Sequence, residues 1–78
     1  DCVLVTSPAE LLVQVGLKVK RQSPYKHTFI AACSNGYIHY GPPAEDYPRG
    51  GYEVTECFLA PEWQAIFERT AQDVIRRL

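Results

Sequence analysis

Cys2-Val3-Leu4-Val5-Thr6-Ser7-Pro8-Ala9-Glu10 is the stretch on which the fold turns. Residues 2–6 are short, β-branched and continuously apolar, the pattern of a strand buried on both faces. Ser7-Pro8-Ala9-Glu10 then carries a helix-start signature. Ser7 serves as N-cap, Pro8 takes the first helical position and Glu10 follows three residues after the cap. The spacing therefore predicts a strand running into a helix over residues 8–21, with Ser23-Pro24 as its stop. A period-two alternation (Leu11, Val13, Val15, Leu17, Val19) competes for the same residues. Leu11, Leu12, Val15 and Val19 also share one helical face, and the capping signature favours the helix.

Downstream, Thr28-Phe29-Ile30-Ala31-Ala32-Cys33 is a second apolar, strand-like run. Strand, helix and strand within about thirty residues make a βαβ unit, with the two strands parallel and the crossover right-handed. Residues 34–51 read as a long tyrosine-rich loop punctuated by Asn35-Gly36, Gly41-Pro42-Pro43 and Arg49-Gly50-Gly51. Residues 52–59 read as extended. Pro61 opens a C-terminal amphipathic helix to Leu78. Trp63, Ile66, Phe67, Thr70, Ala71, Val74 and Leu78 fall on one face, with Arg69, Gln72, Asp73 and Arg76 opposite. The expected fold class is thus α/β, one segment over residues 1–78.

Bulk properties narrow the functions. The 78 residues allow one domain at most, and a chain this short leaves little net stability. Eight basic and nine acidic residues give a net charge of −1, against a nucleic-acid or anionic-membrane surface. Cys2, Cys33 and Cys57 are odd in number, far apart and without zinc-finger spacing, which favours a reducing, cytoplasmic compartment. No run is long and apolar enough to span a membrane, and no signal peptide is visible. A start at Asp1, directly in a strand-like run, suggests a fragment of a larger domain.

Two residues stand out for chemistry. Glu10 is a capping-box glutamate on the plain reading. On the sharper one it is a carboxylate at the carboxyl end of a buried strand, where open α/β sheets place ligands. Tyr37 lies just beyond the carboxyl end of the second strand. If the strands are parallel, both point to one rim. His27 and His39 are single histidines without a third ligand nearby, and no phosphate loop, GxSxG or HExxH motif is present.

Asn35-Gly36-Tyr37-Ile38-His39-Tyr40, then Glu45-Asp46-Tyr47, then Gly51-Tyr52-Glu53, resembles the end of the catalytic domain of the neutral/alkaline, non-lysosomal ceramidases. That family carries an Asn-x-Tyr-x-x-Tyr run, a further Tyr and a Tyr-Glu at nearly these separations. It has a strand ending in Pro-Gly-Glu upstream, where Ser7-Pro8-Ala9-Glu10 stands here, and an amphipathic helix downstream. The resemblance covers nearly the whole chain and implies a zinc-dependent amidohydrolase acting on a lipid or other N-acyl substrate. It implies Glu10 and Tyr37 as metal ligands, beside two histidines contributed from far upstream in the family. Ala9 departs from the motif glycine, and the helix after Glu10 looks shorter. Neither His27 nor His39 sits in the histidine motif, so the chain by itself is expected to be inactive, its partner being the rest of a larger catalytic domain. The other class of function is a non-enzymatic interaction or scaffold module using the tyrosine-rich loop as its surface, since tyrosine is enriched at interfaces.

Overall fold

A computed structural model describes residues 2–78. Strand β1 spans Cys2–Thr6 and pairs in parallel with β2, His27–Ala31, in the register Val3↔Thr28 and Leu4↔Phe29. Between them lies helix α1, Val13–Gln22, with Val15 and Val19 fully buried. The βαβ unit and its parallel pairing are therefore as the sequence predicts.

The helix boundary is not. Glu10–Leu11 forms a second short strand, β3, which pairs in parallel with β4 at Tyr40–Gly41. Helix α1 starts only at Val13, with Leu12 in extended geometry and no side-chain cap. The Ser7 hydroxyl accepts the Ala9 N–H at 3.1 Å, so it closes a two-residue turn. Short polar side chains cap turns as readily as helices, and here pairing decided. Glu10 N–H donates to the His39 carbonyl (2.8 Å) and Leu12 N–H to the Gly41 carbonyl (3.1 Å), satisfying groups a helix would have used internally.

The run after β2 follows suit. Strand β2 ends at Ala31, and Cys33, Ser34 and Ile38 return their N–H groups to the carbonyls of Ala9, Ser7 and Pro8. Residues 2–12 are thus flanked by 27–41 almost throughout. Beyond β4, a 3₁₀ turn spans Ala44–Asp46, capped by an ion pair between Asp46 and Arg49. Residues 52–55, expected to be extended, form helix α2, Tyr52–Thr55. Thr55 N–H and side-chain hydroxyl both bond the Gly51 carbonyl, and Gly51 takes φ 116°, a conformation that glycine reaches without strain.

The last helix, α3, runs Trp63–Arg76. Its buried line is Ala71 and Ile75, and its Gln64, Glu68 and Gln72 stripe faces inward. Lys18 of α1 pairs with Glu68 at 3.2 Å, Gln72 Nε2 donates to the Val19 carbonyl at 3.3 Å, and Gln64 Oε1 accepts the Ala44 N–H at 2.6 Å. The expected apolar stripe therefore faces this chain's core only in part. Ile66, Thr70 and Val74 are exposed, and Gln72, expected on the solvent side, is half-buried. The strands differ from expectation in the same way: Val3 and Thr28 are buried, whereas Leu4 and Phe29 on the opposite face are 64% and 52% exposed. Among the described residues no helix is long and apolar enough to cross a membrane.

Candidate functional site

The parallel pairing of β1 and β2 carries the chain to one rim twice. At the first arrival, β3 holds Glu10 in register with Tyr40 of β4. At the second, the turn after β2 holds Tyr37. This turn is tightly specified: Cys33, Asn35 and His39 adopt positive φ (54°, 63° and 68°), as does Gly36 (132°). Three non-glycine residues in the left-handed region within seven positions are unusual, and such concentrations are found where the backbone is bent to present a side chain. The hydrogen bonds of Cys33, Ser34 and Ile38 to residues 7–9 hold the bend in place.

The outcome is a contact between residues 27 apart in sequence. The Tyr37 hydroxyl donates to Glu10 Oε1 at 3.0 Å. That bond, more than the surroundings, raises the Tyr37 pKa above its ordinary value, because ionising the phenol would lose the bond and place two anions side by side. Both groups are open to solvent on one side, Tyr37 being about half exposed. The two residues singled out by sequence are thus brought together, although Glu10 arrives on a strand and not on a helix.

Aromatic side chains brace the pair. His39 stacks on Tyr37 with centroids 5.3 Å apart, and Phe58 lies tilted against His39 at 4.4 Å. His39 also forms an isolated antiparallel bridge with Cys57, which ties residues 57–58 to the rim. On the Glu10 flank, Tyr40 meets Tyr52 edge-on at 5.5 Å, and the neighbouring Tyr52 hydroxyl pushes the Tyr40 pKa up to about 12. Behind the rim, Tyr47 donates to the Leu59 carbonyl at 2.8 Å and lies 3.2 Å from Cys57 Sγ; burial raises its pKa. Sequence reasoning had no signal for Phe58, and it gave His39 no part near Tyr37. The bridge between His39 and Cys57 is what brings Phe58 in. His27 lies at the start of β2, away from the rim.

A zinc ion is the group the ceramidase resemblance implies. The donor set fits part of such a site. A carboxylate and a phenol are hard-oxygen ligands, they lie within hydrogen-bond distance and they face solvent. A catalytic zinc takes about three protein ligands and a water. Among the described residues no cluster of three or more His, Cys, Asp or Glu side chains could hold a metal, so Glu10 and Tyr37 alone fall short of such a set.

Comparison with known proteins adds the scale of the fold. No family model matches the chain. No curated protein matches it. Among solved structures it matches a ceramidase complexed with C2, with a TM-score of 0.77 at 23% identity, over 97% of this chain. The chain spans 14% of that ceramidase's length. At this identity the likeness is one of fold: β1, the crossover, the tyrosine-bearing rim and α3 together have the architecture of one segment of a much larger ceramidase chain.

Proposed function

We propose that this chain is a segment of a ceramidase-like, zinc-dependent amidohydrolase and contributes two of its metal ligands, Glu10 and Tyr37. The observation that carries the reading is the 3.0 Å contact between the Tyr37 hydroxyl and Glu10 Oε1. Two residues matched to ligand positions by sequence resemblance meet at one rim, in a fold shared with a ceramidase.

Zinc bound there would supply Lewis acidity and a water ionisable near neutral pH for attack on an amide carbonyl. The chain's own residues do the holding. Glu10, fixed through its N–H on the His39 carbonyl, presents an anionic oxygen outward. Tyr37, whose hydroxyl bonds Glu10 Oε1, would offer its proton to a carbonyl oxygen that gains charge at the rim, where a preorganised donor is most effective. His39, stacked on the phenol ring and itself against Phe58, limits the ring's swing on that side. The substrate class this supports is an N-acyl compound, and the remaining ligands come from the rest of the catalytic domain.

The test uses the polypeptide expressed from its full reading frame. Glu10→Gln should abolish both bound zinc, read by elemental mass spectrometry, and hydrolysis of an N-acyl substrate. Glu45→Gln, on the exposed 3₁₀ turn, should leave both intact. Stoichiometric zinc surviving Glu10→Gln would end the ligand assignment, and a chain that never carries zinc would favour the interaction-module reading.

A further inference from the structure

Among the described residues the outer edge of β1 is unpartnered. Ser7 donates its N–H to the Ala31 carbonyl (3.0 Å) and accepts from the Ser34 N–H (2.9 Å), so its backbone polar groups point toward the β2 side. In a parallel ladder, alternate residues share that direction, so Val3 and Val5 point the same way. The N–H and C=O groups of Leu4 and Thr6 therefore point away from β2, and among the described residues no other strand pairs with them. An exposed edge is normally blunted by a lysine, a proline or a bulge. Residues 2–6, Cys-Val-Leu-Val-Thr, have none of these.

An apolar groove runs alongside this edge, between Leu4 and Val5 of β1 and Phe67 and Val74 of α3, with Leu78 just beyond the end of that helix. It continues toward Ile66, Ile38 and Leu59 near the rim. A second apolar hollow lies on another flank, where Leu11, Val13 and Leu17 stand beside Ile30. A two-fold partner copy would cover one of these flanks and leave the other wet. A larger fold wrapped around the segment covers both, and the ceramidase sharing this architecture is about seven times longer, as the 14% coverage requires.

We infer that the β1 edge is the docking site of a further β-strand, supplied by another part of the same larger polypeptide. That strand takes the Leu4 and Thr6 backbone groups into a continuous sheet and sets apolar side chains into the groove against Val74 and Leu78. β1 is then an interior strand, in keeping with its continuously apolar sequence. The inference stands on the edge and the groove and does not need the zinc site, so loss of zinc binding and loss of edge pairing are separately readable.

Backbone amide exchange in the polypeptide expressed from its full reading frame tests it. Leu4 and Thr6 amides should be protected to within roughly tenfold of Val5 and Ser7, because all four then sit in one ladder. Leu4→Pro, which removes an outward N–H, should lower the thermal midpoint there, whereas a true edge tolerates proline at such a position. Leu4 and Thr6 exchanging at least roughly a hundredfold faster than Val5 and Ser7 would overturn the inference. So would protection of Leu4 that rises with protein concentration, since that would make a second copy the occupant.

Discussion

Gly41 shows how closely the rim is built. A Cβ on this residue would lie 2.8 Å from Trp63 Cη2 and 3.3 Å from the Ala9 Cβ. The indole cannot easily retreat, because its Nε1 donates to the Pro42 carbonyl at 2.9 Å. Gly41→Ala should therefore cost about 1–3 kcal/mol, the usual range for overpacking. Combining it with Trp63→Phe, which removes the offending ring atoms, should cost less than the sum of the two single changes; a thermal-denaturation double-mutant cycle checks this. Tyr47 makes a second residue-scale case. Its raised pKa means that the folded chain favours the protonated phenol. The stability this contributes is fully present below the ordinary tyrosine value of about 10, and it is lost as pH rises through the higher folded-state value. Tyr47→Phe should cost about 0.5–1.5 kcal/mol at pH 7 through the lost bond to Leu59. It should also flatten the fall in thermal midpoint above pH 10, and an unchanged alkaline limb would place the titrating group elsewhere.

At the scale of elements, α1 is held more by packing than by its own sequence. It has no N-cap side chain and carries Gly16 in its interior, which lowers helix propensity. What holds it is the burial of Val15 and Val19, the Lys20 and Arg21 cations in its last turn, and the bonds from α3 at Glu68 and Gln72. A Cβ on Gly16 would meet Ile30 Cγ1 at 3.7 Å, an ordinary contact. Gly16→Ala should therefore stabilise the fold by about 0.5–1 kcal/mol, read as a higher thermal midpoint. A lower midpoint would mean that α1 lies closer to β2 than this distance indicates. Helix α3 teaches the converse lesson. Its Ile66, Thr70 and Val74 stripe is apolar, yet the chain leaves it exposed, while a polar stripe of Gln64, Glu68 and Gln72 is used against α1 and the 3₁₀ turn.

The whole molecule is a slab with a rim. Two parallel pairs of strands lie end to end, α1 and α3 pack on one side, and apolar flanks remain open. A small chain with this much uncovered apolar surface has little net stability of its own. Covering the β1 edge and the α3 stripe within a larger fold would therefore add stability to the same backbone that bends to bring Glu10 and Tyr37 together.

Much of this was legible in the residues. The apolar runs at 2–6 and 28–33 are too short for helices and too β-branched for loops, so they determined two strands and, by their separation, a parallel crossover, but not that Leu4 and Phe29 would stand exposed on the outer face or that the second strand would end at Ala31. Asn35-Gly36 and the tyrosines behind it determined a structured turn carrying Tyr37. Glu10 was legible as a candidate ligand through resemblance but not as a strand residue, because Ser-Pro-x-Glu satisfies a helix cap and an extended turn equally well. Only the tertiary structure decided between them, by offering the His39 and Gly41 carbonyls to the N–H groups of Glu10 and Leu12. It also decided which side of α3 faces this chain. Periodicity reveals that a helix has an apolar face, but not whether the surface covering that face lies in the same 78 residues.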